Sequence, residues 1–465
     1  RVQSVAVRLC VLRERERQRF KTAAFWDVEA ELEAAGVRFS ARLVRVGEQR
    51  VATGADFDPD TGRLKDGSGA LWLRDEAATR ALIDVWERPW AVTSVEKKPQ
   101  RRRPAPPFTT SSLQQEANRK LRFSARQTMR IAQRLYEGVE AGGDRIGLIT
   151  YMRTDSTTLS EKALGDAVGV IRERYGNAYT DGPRRYATKV KGAQEAHEAI
   201  RPTELSRTPE KVSRYLERDE LRLYELIWKR TLASQMTDAR LLRTAVEITA
   251  TGGDADAVFS ATGTAIEFPG FLRAYVEGSD DPAAEIADRE VLLPELENGQ
   301  KLDPRSVEAK GHETQPPARY TEASLVKKLE AEGIGRPSTY ATILDTIQDR
   351  GYVVKTNNAL VPTFTAFAVT KLLEEHFADY VDTHFTARME QQLDDIADGS
   401  LDWREHLQHF YFGEGPEQPG LEGRIASQQP DIDYPSVEIG EHPETGQPIV
   451  VKVGRFGPYL QMETA

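Results

Sequence analysis

Apolar residues recur at helical spacing in the opening segment. Val5, Leu9 and Leu12 stand beside Arg8, Arg13 and Arg15, which predicts one amphipathic helix over residues 1 to about 20. From about Phe25 the period shortens to two. Val37 to Leu43 alternates, Asp58-Pro59-Asp60-Thr61-Gly62 has the residues of a hairpin tip, and Ala91 to Glu96 reads as a further strand. A helical stretch follows. Ser111 or Ser112, each with a Gln three residues on, suits the N-cap of a helix from Leu113 to about Phe123. Further helices are predicted near Ala125 to Tyr136, Glu161 to Tyr175 and Asp219 to Gln235. Strands return at Thr244 to Ala250, Ala257 to Ala261 and Ser306 to Ala309.

From about residue 318 the pattern is helical again, with one helix over Glu322 to Glu332. Gly333 and Gly335 make a turn, and Ser338 is the expected cap of a helix carrying Tyr340, Ile343, Leu344 and Ile347, which Gly351 ends. Tyr352 to Lys355, a Thr356-Asn357-Asn358 turn and Leu360 to Pro362 complete a helix-turn-helix with a β wing. The fold class implied is α+β and multidomain. The strand-rich stretches 21–107 and 238–317 form one discontinuous β domain, and 108–237 is a mixed block inserted into it. Residues 1–20 join 318–425 in a helical, winged-helix-like domain, and 426–465 is a linker running into a glycine-punctuated strand unit. A block hung from two connections is a natural moving part.

At 465 residues the chain has room for roughly three domains. No apolar run approaches the length of a membrane span. Cys10 is the single cysteine, which excludes a disulfide framework or a four-cysteine zinc site within these residues, and its apolar stripe predicts burial. A cytoplasmic protein is expected. The first residue is not Met and the end falls as a strand unit begins, so a fragment is expected. The net charge of −10 does not exclude nucleic acid, because local patches decide that. Lys97, Lys98, Arg101 to Arg103, Arg119, Lys120, Arg122, Arg126, Arg130 and Arg134 face one acid, Glu116, across their span. Arg101 to Arg103 followed by Pro104, Pro106 and Pro107 reads as linker, and the later arginines fall on an ordered element that suits a polyanion.

The chemistry concentrates in Gly147-Leu148-Ile149-Thr150-Tyr151-Met152-Arg153-Thr154-Asp155-Ser156. Read as a strand, it sets Tyr151, Arg153 and Asp155 on one face and Met152 on the other. A phenol is a weak nucleophile that needs positive charge or a base beside it. Arg153 supplies such charge and can hold a phosphate bidentately. The plainer reading is a half-buried strand, and its neighbours in sequence decide between the two.

Those neighbours are Arg1-Val2-Gln3-Ser4-Val5-Ala6, Pro107-Phe108-Thr109-Thr110-Ser111-Ser112-Leu113-Gln114-Gln115-Glu116-Ala117, Glu195-Ala196-His197-Glu198-Ala199-Ile200-Arg201-Pro202-Thr203, Gly333-Ile334-Gly335-Arg336-Pro337-Ser338-Thr339-Tyr340 and Phe385-Thr386-Ala387-Arg388-Met389-Glu390. With the Tyr151 segment they resemble, in order and over nearly the whole chain, the type IA DNA topoisomerases of the bacterial topoisomerase I group, actinobacterial members in particular. The resemblance implies that Tyr151 attacks a phosphodiester of single-stranded DNA and forms a 5′-phosphotyrosine without ATP. Arg153 would steady the scissile phosphate. Arg1, Gln3, Asp155, His197, Gly335, Arg336, Ser338 and Thr339 would contact DNA. Arg201 would contact a phosphate or form a helix-end salt bridge, and Tyr340 would stack on a base or belong to the core. The partner implied is single-stranded or underwound DNA, with no membrane and a monomeric protein, and 426–465 would open a C-terminal topoisomerase repeat.

One part of the family pattern has no match. The family binds Mg²⁺ through a Glu and an Asp-x-Asp in an N-terminal Toprim domain. Asp56-Phe57-Asp58 and Asp254-Ala255-Asp256 lie in turn-like settings and Asp431-Ile432-Asp433 in a polar join, so all three read as solvated acids. No metal ligand is therefore expected in this chain; the Mg²⁺ would belong to the longer enzyme. A fragment of this kind would bind single-stranded DNA without relaxing it. The alternatives are a noncatalytic single-strand-binding module and a decatenase-type relative of the same family.

Overall fold

The computed structural model describes residues 2–141, 144–186, 198–279, 291–415, 417–432, 436–454 and 457–462. Arg1, His197 and Asp433 lie outside the described residues. The chain is α+β. Helix α1 (Val2–Arg19) leads into an antiparallel sheet drawn from two distant stretches. Strands β1 (Ala24–Ala34), β2 (Val37–Val46) and β3 (Trp90–Arg102) come before the helical block; β4 (Ala239–Ala250), β5 (Ala257–Phe268), β6 (Lys301–Leu302) and β7 (Ser306–Glu313) come after it. Their spatial order is β7-β1-β2-β5-β4-β3-β6, with Gln49–Arg50 as a short extra strand on β2. In β1 the buried Val28, Ala30 and Leu32 alternate with half-buried Glu29, Glu31 and Glu33, the signature of a sheet with one face on a core. Trp90 stacks on Phe259 at 4.4 Å between ring centroids, and Trp86 meets both edge-on.

The arginine-rich linker expected at 101–103 is largely strand. β3 runs on to Arg102, and Lys97 to Arg102 pair residue by residue with Thr244 to Ala239 of β4. Composition disguised this. Pro99 cannot donate to a ladder, but β6 pairs only Trp90 and Ala91, so the other edge of β3 is unpaired at Pro99 and loses nothing there. The exposed Lys97, Lys98 and Arg101 project from this edge strand, which carries the chain into the helical block.

That block contains α2 (Thr110–Glu116), α3 (Ala125–Glu137), α4 (Glu161–Tyr175) and α5 (Arg218–Ser234) around Phe108, Leu113, Leu135, Ile149, Met152, Ile171 and Trp228. Phe271 and Tyr275, which follow β5, complete this core. The cap expected at Ser111 or Ser112 is Thr109. Its backbone is extended (φ −89°, ψ 171°), its hydroxyl accepts from Ser112 N–H, and Ser112 Oγ accepts from Thr109 N–H, so serine closes the box where glutamine was expected. The helix widens into a π turn at Ala117–Leu121 and stops at Arg122, which is left-handed at φ 61°.

Beyond the sheet, α6 (Glu322–Ala331), α7 (Tyr340–Asp349) and the hairpin of β8 (Val353–Thr356) and β9 (Ala359–Pro362) pack on α1. Val5, Leu9 and Val11 of α1 share a core with Leu325, Ile343, Leu344 and Ile347. Cys10 is buried there, and burial pushes its thiol up to about 12. The wing turn has Asn357 and Asn358 both at positive φ, as a tight hairpin requires. Helix α8 (Thr383–Ala397) packs nearby, and a three-stranded sheet of β10 (Ser436–Glu441), β11 (Pro448–Gly454) and β12 (Gly457–Met462) ends the described chain. No helix among the described residues is long and apolar enough to cross a membrane.

Several arginines of the basic segment meet acids of neighbouring elements. Arg126 pairs with Asp345 at 2.5 Å and Asp349 at 2.9 Å on α7, and Arg134 with Glu220 at 2.8 Å on α5. They join elements within the protein, which accounts for Arg126 and Arg134 without a polyanion. The most deeply buried acid of the same interface is Glu322. One carboxylate oxygen accepts the Ala125 N–H at 2.7 Å and the other accepts Lys355 Nζ at 3.0 Å, with the side chain 3% exposed. Glu322→Ala would strand a helix N–H and a half-buried ammonium. We expect it to lower stability by about 3 kcal/mol, read by urea denaturation. A loss below about 1 kcal/mol would mean that water replaces the carboxylate.

Candidate active site

The Tyr151 segment is extended but is not a strand. Ile149 makes a single bridge to Pro202, and the ladder goes no further because the next donor, the Ile200 N–H, bonds Phe108 O at 2.8 Å instead. Thr150 secures the same place: its N–H donates to Arg201 O at 2.9 Å and its hydroxyl to Ala199 O at 2.7 Å. The alternation expected of a strand survives nonetheless. Met152, Thr154 and Ser156 are buried, whereas Tyr151 and Arg153 are exposed and Asp155 is half-buried. Met152 anchors the segment in the core, 1% exposed. The Tyr151 side chain stands out at 47% exposure, its ring edge-on to Tyr136 at 5.3 Å. Among the described residues neither the Tyr151 hydroxyl nor the Arg153 guanidinium has a hydrogen-bond or ion-pair partner. A phenol and a guanidinium with both polar ends open to solvent can receive a phosphate from outside.

Asp155 lines a cleft of about 540 Å³ between the inserted block and the α6–α7 turn. Thr109, Ser111, Thr154 and Asp155 form one wall, and Glu330, Gly335, Arg336, Pro337, Tyr340 and Asp394 the other. Ser111 Oγ donates to Glu330 at 2.6 Å, which ties the two walls. The cleft thus gathers Asp155, Gly335 and Arg336, which are far apart in sequence. Gly335 is left-handed at φ +82°, and a Cβ there would meet Tyr340 and Ile343 at 3.1 and 3.2 Å, so the turn needs glycine on both counts. Arg336 is held by Asp394 at 2.5 Å and by the carbonyl of Gly335 at 2.8 Å.

Other expected site residues lie elsewhere or are already engaged. Arg201 uses its whole fork within the protein, on Glu198 at 2.6 Å, Ser160 and the carbonyls of Pro202 and Thr203. Of its two sequence readings, the structure gives the salt bridge. Burial opposes the charge on Glu198, but Arg201 and Ser160 outweigh it and hold that carboxyl below its ordinary range. Ser338 is exposed but does not cap α7; the N-cap is Thr339, in helical conformation, with its hydroxyl turned back onto Arg336 N–H and C=O. Gln3 sits at the opposite end of α7, where Arg350 reaches it at 3.4 Å. Tyr340 is 5% exposed, and burial raises its pKa; it belongs to the core.

The acids of the Asp-x-Asp runs at 56–58 and 254–256 are engaged or exposed and do not converge. Asp56 is locked on Arg50 and Thr53, Asp58 caps its own turn, and Asp254 and Asp256 are exposed. Among the described residues no three His, Cys, Asp or Glu side chains converge as metal ligands. Sequence reasoning missed Thr110, quoted only within a motif, Ser111, weighed only as a helix cap, and Glu330 and Asp394, whose partners are remote in sequence.

Known proteins are similar to this sequence over nearly its whole length. A family model described as DNA topoisomerase matches residues 1–408, and one described as topoisomerase C-terminal repeat matches residues 442–465. DNA topoisomerase 1 of a Synechocystis species is 53% identical, covering 99% of this chain and 49% of that protein. The Mycobacterium tuberculosis protein of that name is 51% identical, covering 99% and 51%. The chain spans about half the length of these relatives. Full-length topoisomerase I from Thermotoga maritima superimposes with a TM-score of 0.75 at 32% identity, covering all of this chain and 69% of that structure.

Proposed function

This chain belongs to the bacterial type IA DNA topoisomerase I family, and on that premise we propose that it carries the nucleophilic half of an ATP-independent DNA strand-cleaving and resealing centre. The observation that supports this is the pair Tyr151 and Arg153, exposed on one face of a segment anchored by Met152, with no partner among the described residues. Tyr151 Oη attacks a backbone phosphorus of single-stranded DNA. The P–O3′ bond breaks, a 5′-phosphotyrosine forms, and the 3′-hydroxyl takes up the proton. The reverse attack reseals the strand, and the ester conserves the bond energy, so no nucleotide is consumed. Arg153 holds the nonbridging oxygens and offsets the charge that develops on them. Arg336, Ser338 and Thr339 lie beside the cleft, where contacts to the DNA backbone would set register without reading sequence.

Magnesium would be held by acids outside this chain, as the family resemblance implies. The inserted block, hung on the ends of β3 and β4, is the part that swings to open a gate, and the cleft closed by Ser111 and Glu330 is where it parts from α6. The substrate is underwound DNA and the protein acts as a monomer in the cytoplasm.

The test compares the 465-residue chain with the full-length protein on negatively supercoiled plasmid with Mg²⁺. The chain should bind a single-stranded oligonucleotide and leave the plasmid supercoiled, while the full-length protein relaxes it. Relaxation by the chain alone would overturn the division of the centre, and failure of the full-length protein would overturn the activity.

A further inference from the structure

We propose that Thr110 is the positioning residue of the nucleophile, the group that fixes where Tyr151 and Arg153 point. This rests on the function proposed above. Past the single bridge at Ile149 the segment pairs with no strand among the described residues, yet it keeps a strand's alternation through Ser156. Thr110 supplies what a neighbouring strand would. Its hydroxyl donates to Met152 O at 2.7 Å and accepts the Thr154 N–H at 2.8 Å, and its own N–H donates to Thr154 O at 2.9 Å. The carbonyl of residue 152 and the N–H of residue 154 belong to the two peptide units that flank Arg153. One side chain thus clamps Arg153 on both sides and holds Tyr151 one peptide away.

The clamp is fully shielded: Thr110 is 0% exposed and Thr154 3%. Water cannot replace the hydroxyl without entering the core, so its loss leaves a carbonyl and an N–H in search of partners. Thr110 is also the first residue of α2, and the Thr109–Ser112 capping box defines where that helix starts. The helix start and the nucleophile segment are therefore one rigid unit. Thr110 touches no substrate; it acts through the backbone of the residues that do.

The experiment uses the full-length protein and measures covalent adduct formation on an end-labelled single-stranded oligonucleotide at saturating concentration, with the dissociation constant measured separately. Thr110→Val keeps the shape and removes the hydroxyl. We expect the adduct rate to fall about 10- to 100-fold, the size of effect that a misplacement near 1 Å produces, while affinity stays within about threefold. Thr110→Ser keeps the hydroxyl and should restore the rate. If the valine protein does not fold, Thr110→Ala carries the same expectation. A wild-type rate in a folded variant lacking the hydroxyl overturns the proposal. So does a serine variant as slow as the valine one, or a loss of rate matched by an equal loss of affinity. Wild-type protein run in parallel separates the two levels: no adduct there refutes the proposed function itself, whereas a wild-type adduct with an unaffected T110V refutes only the role of Thr110.

Discussion

Tyr151→Phe is expected to abolish the covalent protein–DNA adduct and all plasmid relaxation in the full-length protein while leaving noncovalent binding of single-stranded DNA within about twofold of wild type. The substitution removes one oxygen. The ring stays, and so does its edge-on contact with Tyr136. Tyr151 is about half exposed and its hydroxyl bonds to no described residue, so stability should change by less than about 0.5 kcal/mol. An attacking atom has no partial substitute: losing the nucleophile of a covalent mechanism removes the step itself. The nearest competitor is Tyr136, 40% exposed and in ring contact. Peptide mapping of any residual adduct therefore decides the assignment. An adduct on Tyr136, or one still formed at the wild-type rate, would remove Tyr151 from the role.

Much of this arrangement is legible in the sequence, and the parts that are not share a cause. The helix over Glu161–Tyr175 follows from Leu164, Val168 and Ile171 at helical spacing, with Ser160 to cap it and Gly176 to end it. Local pattern and local caps suffice there. β3 is hidden because Pro99 and the arginine run look like linker, and only pairing with β4, about 140 residues on, makes them strand. Tyr151, Arg153 and Asp155 are legible as a face, because burial of Met152 and Thr154 enforces the alternation. Thr110 is not legible as their support, since its hydrogen bonds span 42 and 44 residues. Arg201 shows the same limit from the other side. Its type and motif admit a phosphate contact or a salt bridge, and only the fold shows that Glu198, Ser160 and two carbonyls lie near enough to form the salt bridge.

Arg153 carries the second large expectation. Arg153→Ala should slow adduct formation at saturating single-stranded DNA by about 100- to 1,000-fold, the range found when one preorganised donor to a developing anion is removed. The fold should not suffer, because Arg153 is exposed and pairs with no described residue. That separates it from Arg201 and Arg336, which are tied to Glu198 and Asp394 and whose loss would be felt as stability first. Arg153→Lys distinguishes charge from geometry. A lysine keeps the positive charge but presents a single ammonium where the guanidinium offers two parallel N–H groups to two phosphate oxygens. If field alone matters, Lys should recover most of the rate; if the fork orients the phosphate for attack in line with the leaving 3′-oxygen, Lys should remain within about tenfold of Ala. The exposed pair and its backbone clamp favour the second outcome, since orientation is what a rigid segment can supply and a mobile charge cannot. A change confined to affinity, with the rate at saturation intact in Arg153→Ala, would make Arg153 a docking contact and leave the phosphate in the centre without its steadying group.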